Sequence, residues 1–328
     1  MSEVSADVRV AEVTRQDVCT GSERVESWHR AHAAVTDADG HVLAALGDAA
    51  AATFVRSAVK PLQAALCLDL IEAAGIAAPS SEQVAVAWAS HRGEPRHLDA
   101  VAGLLARAEV PPEALTCPPA TAQADPGAAP TRLQHNCSGK HALFALAGRA
   151  LGCAGPDLLD PDGPLQSRLL AGLDDRIGPL PAVGVDGCGA PAAVAPLSNL
   201  ATAFARLATE DRFAAVRDAG LAHPGLVGGE GRLESALLDA GVVAKVGAEG
   251  VYGVGWRDPD GRGRGLAIKA TDGAGRGVAA ATNALLERLE VVPVGSWEPP
   301  PPLGGGRPAG RIRPTAAVDD LARAVAVA

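Results

Sequence analysis

The chain has 328 residues, 48% of them hydrophobic and 20% charged, which is enough apolar material for a substantial core and excludes a disordered protein. The formal net charge is −9. No cluster of lysine and arginine offers the basic face that displaces counterions from phosphates, so a nucleic-acid partner is not expected. No run of 18 apolar residues suggests a membrane span, and "MSEVSADVRVAEVTRQ" carries acids early and lacks an apolar core, so it does not read as a signal peptide. A cytoplasmic setting follows as the expectation.

In chain order, "DVRVAEVTR" alternates as a strand, and residues 24–48 hold two apolar runs around "DADG", a hairpin turn signal. Helical spacing then appears in "LQAALCLDLIEAAG", ending on Gly75, and in "RHLDAVAGLLARAEV" before Pro111. "APSSEQVAVAWAS" reads as a short helix or strand leading to Ser90, and residues 111–135 as a long loop. Helices are expected over about 140–152 and 164–174. "LPAVGVDGCGAP" reads as a strand turning through glycines, followed by helices in "LSNLATAFARLA", "DRFAAVRDAG" and "GRLESALLDAG". A meander covers "VVAKVGAEGVYGVGWRDPDGRGRGLAIKATDG", and "RGVAAATNALLERLE" is a final long helix. Residues 295–310 form a proline- and glycine-rich linker before a terminal strand. No internal repeat is present. Strands at both ends around a helical middle indicate an α/β (α+β) fold with an antiparallel sheet, and the whole of 1–328 reads as one catalytic domain.

Four stretches hold residues suited to chemistry. In "TFVRSAVKPLQAAL", Ser57 and Lys60 are three apart at a helix start marked by Pro61, so hydroxyl and amine share a face. Ser-x-x-Lys is the nucleophile–lysine spacing of serine β-lactamases and penicillin-binding proteins. A lysine serves as base only when burial or a nearby cation such as Arg56 lowers its pKa; taken alone, the pair is more often simply solvated. "WASHRGEPRH" groups Ser90, His91, Arg92, Gly93, Glu94 and His97 after an apolar segment. It fits an active-site loop and a helix N-cap equally well.

"RLQHNCSGKHALF" offers His135, Cys137, Lys140 and His141, and "VGVDGCGAP" offers Asp186 and Cys188 between glycines. The residues leave open whether Cys137 and Cys188 share a metal, pair as a disulfide, or are unrelated, since the C-x-x-C spacing of a zinc knuckle is absent. Cys19, Cys67 and Cys153 read as small core residues and Cys117 as a loop residue. In "GLAIKATDG", Lys269 interrupts an apolar strand and points either outward or into a site.

Together, "FVRSAVKPLQ", "ASHRGEPRH", "HNCSGKHA", "VDGCGAP", "AHPGLVGGEGRLES", "VAKVGAEGVYGV" and "GLAIKATDG" resemble the class 3, rhizobial-type L-asparaginases of the asparaginase II family, from about residue 8 to "GRIRP". That family is similar in fold to the serine β-lactamases. The resemblance implies two serine–lysine pairs, Ser57 with Lys60 and Ser90 with Lys269. It also implies zinc held by Cys137, Lys140 and Cys188, a pocket lined by Arg56, His141 and Asp186, and hydrolysis of L-asparagine to L-aspartate and ammonia by a homodimer. Ser57 is the expected nucleophile. Arg92 stands where the family usually has a small residue. The alternatives are a related amidohydrolase (a glutaminase or a penicillin-recognising hydrolase) and a non-catalytic zinc- or amino-acid-binding protein; the penicillin enzymes' KTG-like strand motif is not evident in "AIKATDG".

Overall fold

The computed structural model describes residues 6–328, which form a mixed α+β fold with antiparallel sheets. The chain folds into two compact units, each assembled from separated segments. One comprises residues up to Thr53, Pro196–Thr209 and Val246–Ala328; the other comprises Phe54–Ala195 and Glu210–Lys245. The sequence reading drew no boundary inside the chain, because none of the four junctions coincides with a linker or a change of composition. Among the described residues no helix is long and apolar enough to cross a membrane.

The first unit is built on an antiparallel sheet. Its strands lie in the order Ile312–Pro314, Val8–Gln16, Glu23–Asp37, Gly263–Ala270 and Val251–Arg257, with Val42–Leu46 also paired to Glu23–Asp37. The "DADG" turn joins Glu23–Asp37 to Val42–Leu46 as its sequence signals. Asp37 accepts the backbone N–H groups of Asp39 and His41 with its carboxylate and fixes the reversal. The strands from the two ends of the chain meet here, Val13 opposite Ile312, and Ala11, Val13, Ala280 and Ile312 form one buried cluster.

The helix Leu197–Thr209 lies directly on this sheet. Gly255 and Gly265 are cross-strand partners, and a Cβ at Gly265 would fall 1.9 Å from the Ala201 carbonyl oxygen, one at Gly255 2.0 Å from that of Phe204. Glycine at both positions is what lets helix backbone and sheet backbone touch. The terminal segment differs from expectation. After the short strand Ile312–Pro314 the chain continues as the helix Ala316–Ala326, with Val318, Leu321 and Ala322 buried. Within the expected linker, Leu303–Gly304 and Arg307–Pro308 pair as a small hairpin.

The second unit is mostly helical. Helices Lys60–Ala73, Ser81–Trp88, Pro95–Ala108, Ser138–Leu151 and Pro164–Ile177 surround a core containing Trp88, Leu104, Phe144 and Leu173. Helices Ala214–Ala222 and Leu233–Asp239 complete it, and Ala182–Val185 pairs antiparallel with Pro191–Pro196. Cys67 and Cys153 are buried as expected and so is the loop residue Cys117, but Cys19 is exposed, lying in the turn after Val8–Gln16 and not in an apolar strand.

Gly265→Ala should therefore force helix and sheet apart and cost about 2 kcal/mol or more of unfolding free energy. Urea denaturation measures this; a loss under about 0.5 kcal/mol would contradict the backbone contact as the limiting one.

Candidate active site

The candidate residues in the second unit converge, though with a different pairing from the one their spacing and the family resemblance suggest. Ser57 lies half-buried in a 3-10 turn, Arg56–Val59, that leads into the helix beginning at Lys60. Lys60 is 1% exposed. Its four-carbon stem carries the amine past Ser57 to the end of another helix, where Nζ donates to the Ala89 carbonyl at 2.6 Å and to Ser90 Oγ at 3.2 Å. The Lys60 backbone N–H donates to the Ser57 carbonyl, but among the described residues no side-chain hydrogen bond joins the Ser57 hydroxyl to the Lys60 amine.

Ser90 follows the helix Ser81–Trp88, which opens on a capping box between Ser80 and Gln83. The second amine at Ser90 belongs to Lys245, 3.0 Å from Oγ and fully buried. Burial, and then the charge of Lys60, push the Lys245 amine down to about 7. Sequence reasoning missed this residue. The signal was a lysine in the middle of the apolar strand "VVAKVG", the same signal that singled out Lys269. Lys269 lies in the other unit, where its amine donates to the carbonyl oxygens of Glu249 and Ala270. Lys245, not Lys269, is thus the lysine bonded to Ser90.

Arg56 and Asp186 are joined as well. Arg56 Nε and Nη2 both donate to Asp186 Oδ1, at 3.0 and 2.8 Å, and the Gly187 N–H adds a third bond to that oxygen at 2.8 Å. Asp186 is held in its turn by bonds from its own N–H to Ala190 O and from Gly189 N–H to its carbonyl. Arg56 has φ +47°, a left-handed conformation uncommon outside glycine. The residue before Ser57 is therefore strained, and the Asp186 ion pair holds it.

Cys137 stands at the N-cap position of the helix Ser138–Leu151, whose first turn carries Lys140. Lys140 Nζ donates to Cys188 Sγ at 3.2 Å. A hydrogen bond from the Cys188 thiol, aided by the charges of Lys60 and Lys140, holds the Cys137 thiol well below its usual range, while that same bond and burial push Cys188 up. Burial works against the charge on Lys140, but the two sulfurs outweigh it and raise its amine. These shifts favour the charged form of Cys137 and of Lys140 and the neutral thiol of Cys188. Gly139 brings this helix close to the one that ends before Ser90, since a Cβ there would sit 2.2 Å from Val86 O.

His141 turns elsewhere. Its Nδ1 and the Thr116 hydroxyl are 2.6 Å apart, and it lines a cavity of about 310 Å³ with Leu115, Ala145 and Leu158, a lining that includes none of the other candidate residues. In the "SHRGEPRH" stretch Ser90 meets the two amines, and Glu94 caps the helix Pro95–Ala108 in a capping box with His97. Arg92 lies near Gly229, with Nη1 3.4 Å from the Glu230 carbonyl.

A hydroxyl held between two buried amines is equipped for acyl transfer. A family model described as L-asparaginase II matches residues 12–314. The chain belongs to the L-asparaginase II family. It is accordingly an amidohydrolase of the asparaginase type, acting on a small-molecule substrate. No curated protein matches the chain. Among His, Cys, Asp and Glu of the described residues, the one cluster of three with metal-ligand spacing is Asp37, Asp39 and His41, on the hairpin turn. Asp39 and His41 are exposed, and Asp37 is already engaged by the turn's own hydrogen bonds.

Because glycine tolerates φ +47° and alanine does not, Arg56→Gly should be more stable than Arg56→Ala by about 1 kcal/mol, though both lose the ion pair. Equal urea midpoints for the two variants would show that the left-handed backbone carries no strain.

Proposed function

We propose that the chain hydrolyses L-asparagine to L-aspartate and ammonia, with Ser90 as nucleophile and Lys245 as its base. The observation that carries this reading is the contact of both amines with one hydroxyl. Lys245 is neutral above about pH 7 and can accept the Ser90 proton, while Lys60 donates to the same oxygen and favours the developing alkoxide. Oγ attacks the side-chain amide carbonyl, the proton passes from Lys245 to the departing nitrogen, and water resolves the ester. Ser57 is kept as a second hydroxyl of the site, in the turn that leads into the Lys60 helix. Asp186 Oδ2, unused by Arg56, suits the substrate's α-ammonium, and the remaining N–H groups of Arg56 suit its α-carboxylate. His141 acts from outside this set, through its helix.

The donor set also fits zinc. Two sulfurs and an amine nitrogen lie buried together, and thiolates suit this metal. Cys137, Lys140 and Cys188 would hold it, Lys140 only as the neutral amine. Bound there, zinc supplies a fixed positive charge that keeps both sulfurs as thiolates. A homodimer in the cytoplasm accompanies this reading on the strength of the family alone.

Ammonia release from asparagine and from glutamine tests the substrate. Asparagine should be turned over, and release from neither would overturn the proposal. Ser90→Ala should lose about 10³-fold or more in kcat, and Ser57→Ala less; the reverse order would return the nucleophile to Ser57.

The rate should rise with pH through about 7 and level off above it, because deprotonating Lys245 creates the base. Lys245→Arg, which cannot deprotonate, should be inactive at every pH. A flat kcat/KM from pH 6 to 9 would exclude a lysine base.

Elemental analysis should find about one zinc per chain, lost in a Cys137→Ser, Cys188→Ser double variant. Chelation should weaken substrate binding more than turnover. A Cys137–Cys188 disulfide and no zinc would remove the metal from the reading.

A further inference from the structure

His91 follows Ser90 directly, and a histidine beside a reactive hydroxyl invites the role of base. Its hydrogen bonds exclude that. Ser138 Oγ donates its single proton to the Leu133 carbonyl at 2.8 Å, so toward His91 Nε2, also 2.8 Å away, it can only accept. Nε2 therefore carries the hydrogen. Nδ1 accepts the Gly93 N–H at 3.2 Å and so carries a lone pair. Both nitrogens are consumed inside the protein by one neutral tautomer, in a side chain 1% exposed. The His97 ring stacks behind it, with centroids 5.3 Å apart and planes 17° from parallel.

The partners of His91 give it a different task. Its backbone N–H donates to Asn136 O at 3.2 Å while its ring bonds Ser138, so one residue fastens the Ser90 loop at two points on either side of Cys137. We propose that His91 is a positioning residue that straps the Ser90 loop to the Asn136–Ser138 turn, coupling the Cys137, Lys140 and Cys188 cluster to the hydroxyl held between Lys60 and Lys245. The reactive role of Ser90 is taken from the proposed function; the strap itself is independent of it.

The test uses the full chain with Ser138→Ala, His91→Leu, their double variant, and His91→Gln, which returns an N–H near the Nε2 position. Displacing a reacting group by about 1 Å costs on the order of 10²-fold. Ser138→Ala and His91→Leu should each lower kcat on asparagine about 10- to 100-fold, with KM within about threefold. The double variant should be no worse than the poorer single one, because both delete one bond. His91→Gln should recover to within about fivefold of the parent. In zinc-free protein, both single variants should also change the rate at which iodoacetamide alkylates Cys137 by about threefold or more.

Unchanged kcat in Ser138→Ala, multiplying losses in the double variant, or losses tracking the folded fraction in thermal melts would each overturn the strap. Should His91→Leu not fold, Ser138→Ala carries the test. If the parent releases no ammonia from asparagine, the proposed function fails; the alkylation rates still decide the strap, and unchanged rates in both variants overturn it.

Discussion

Two lysine amines buried against one hydroxyl are the constraint on which the rest of the site depends. Taking an ammonium out of water costs several kcal/mol, and two neighbouring ammonium groups also repel. The protein resolves this unevenly. Lys60 has an acceptor in the Ala89 carbonyl, and its charge helps to hold the Cys137 thiol below its usual range. Around Lys245, burial and the charge of Lys60 outweigh the nearby Glu234 and Cys137, and it gives up its proton near pH 7 in place of its ordinary 10.5. That shift amounts to on the order of 5 kcal/mol of bias toward the neutral amine. Ser90 thus sits between a donor and an acceptor without any histidine or carboxylate in the pair.

Holding that arrangement requires three chain segments far apart in sequence. Lys60 opens a helix, Ser90 follows the next, and Lys245 lies in a strand 155 residues beyond Ser90. Close approach of the elements is made possible by small residues and maintained by specific bonds. Gly139 removes the Cβ that would strike Val86 O, and the Asp186 carboxylate holds Arg56 in a conformation its own side chain disfavours. The cost of the site is met in backbone geometry next to the functional residues, not within them.

Much of the fold was legible because apolar periodicity and turn residues agree locally. "DADG", the Gly75 helix end and the alternating first strand each state their own structure. The terminal helix was hidden by the proline-rich segment before it, although "AAVDDLARAVA" has apolar residues at helical spacing. The two units were hidden because each closes through contacts distant in sequence. In the site, residue types were easier to read than pairings. Spacing places Lys60 near Ser57, but a lysine's long stem lets its amine leave the turn its Cα occupies, and here it ends at Ser90. Lys245 and Lys269 interrupt similar apolar strands, and only the fold shows which of them reaches Ser90.

The stretch "SHRGEPRH" shows why a polar cluster resists a single functional label. Ser90 faces two amines, His91 spends both ring nitrogens on the neighbouring backbone and Ser138, and Gly93 turns the chain with φ +77°. Glu94 and His97 then close a helix N-terminus, and His97 also bonds the Gly225 carbonyl through Nε2. Capping and the placement of the Ser90 hydroxyl are compatible here because the capping box begins four residues after Ser90. A loop with its N–H groups satisfied by side chains has few ways to move. A hydroxyl suspended between two buried amines tolerates little motion before one bond is lost. The bland and the functional readings of the stretch describe the same structural requirement.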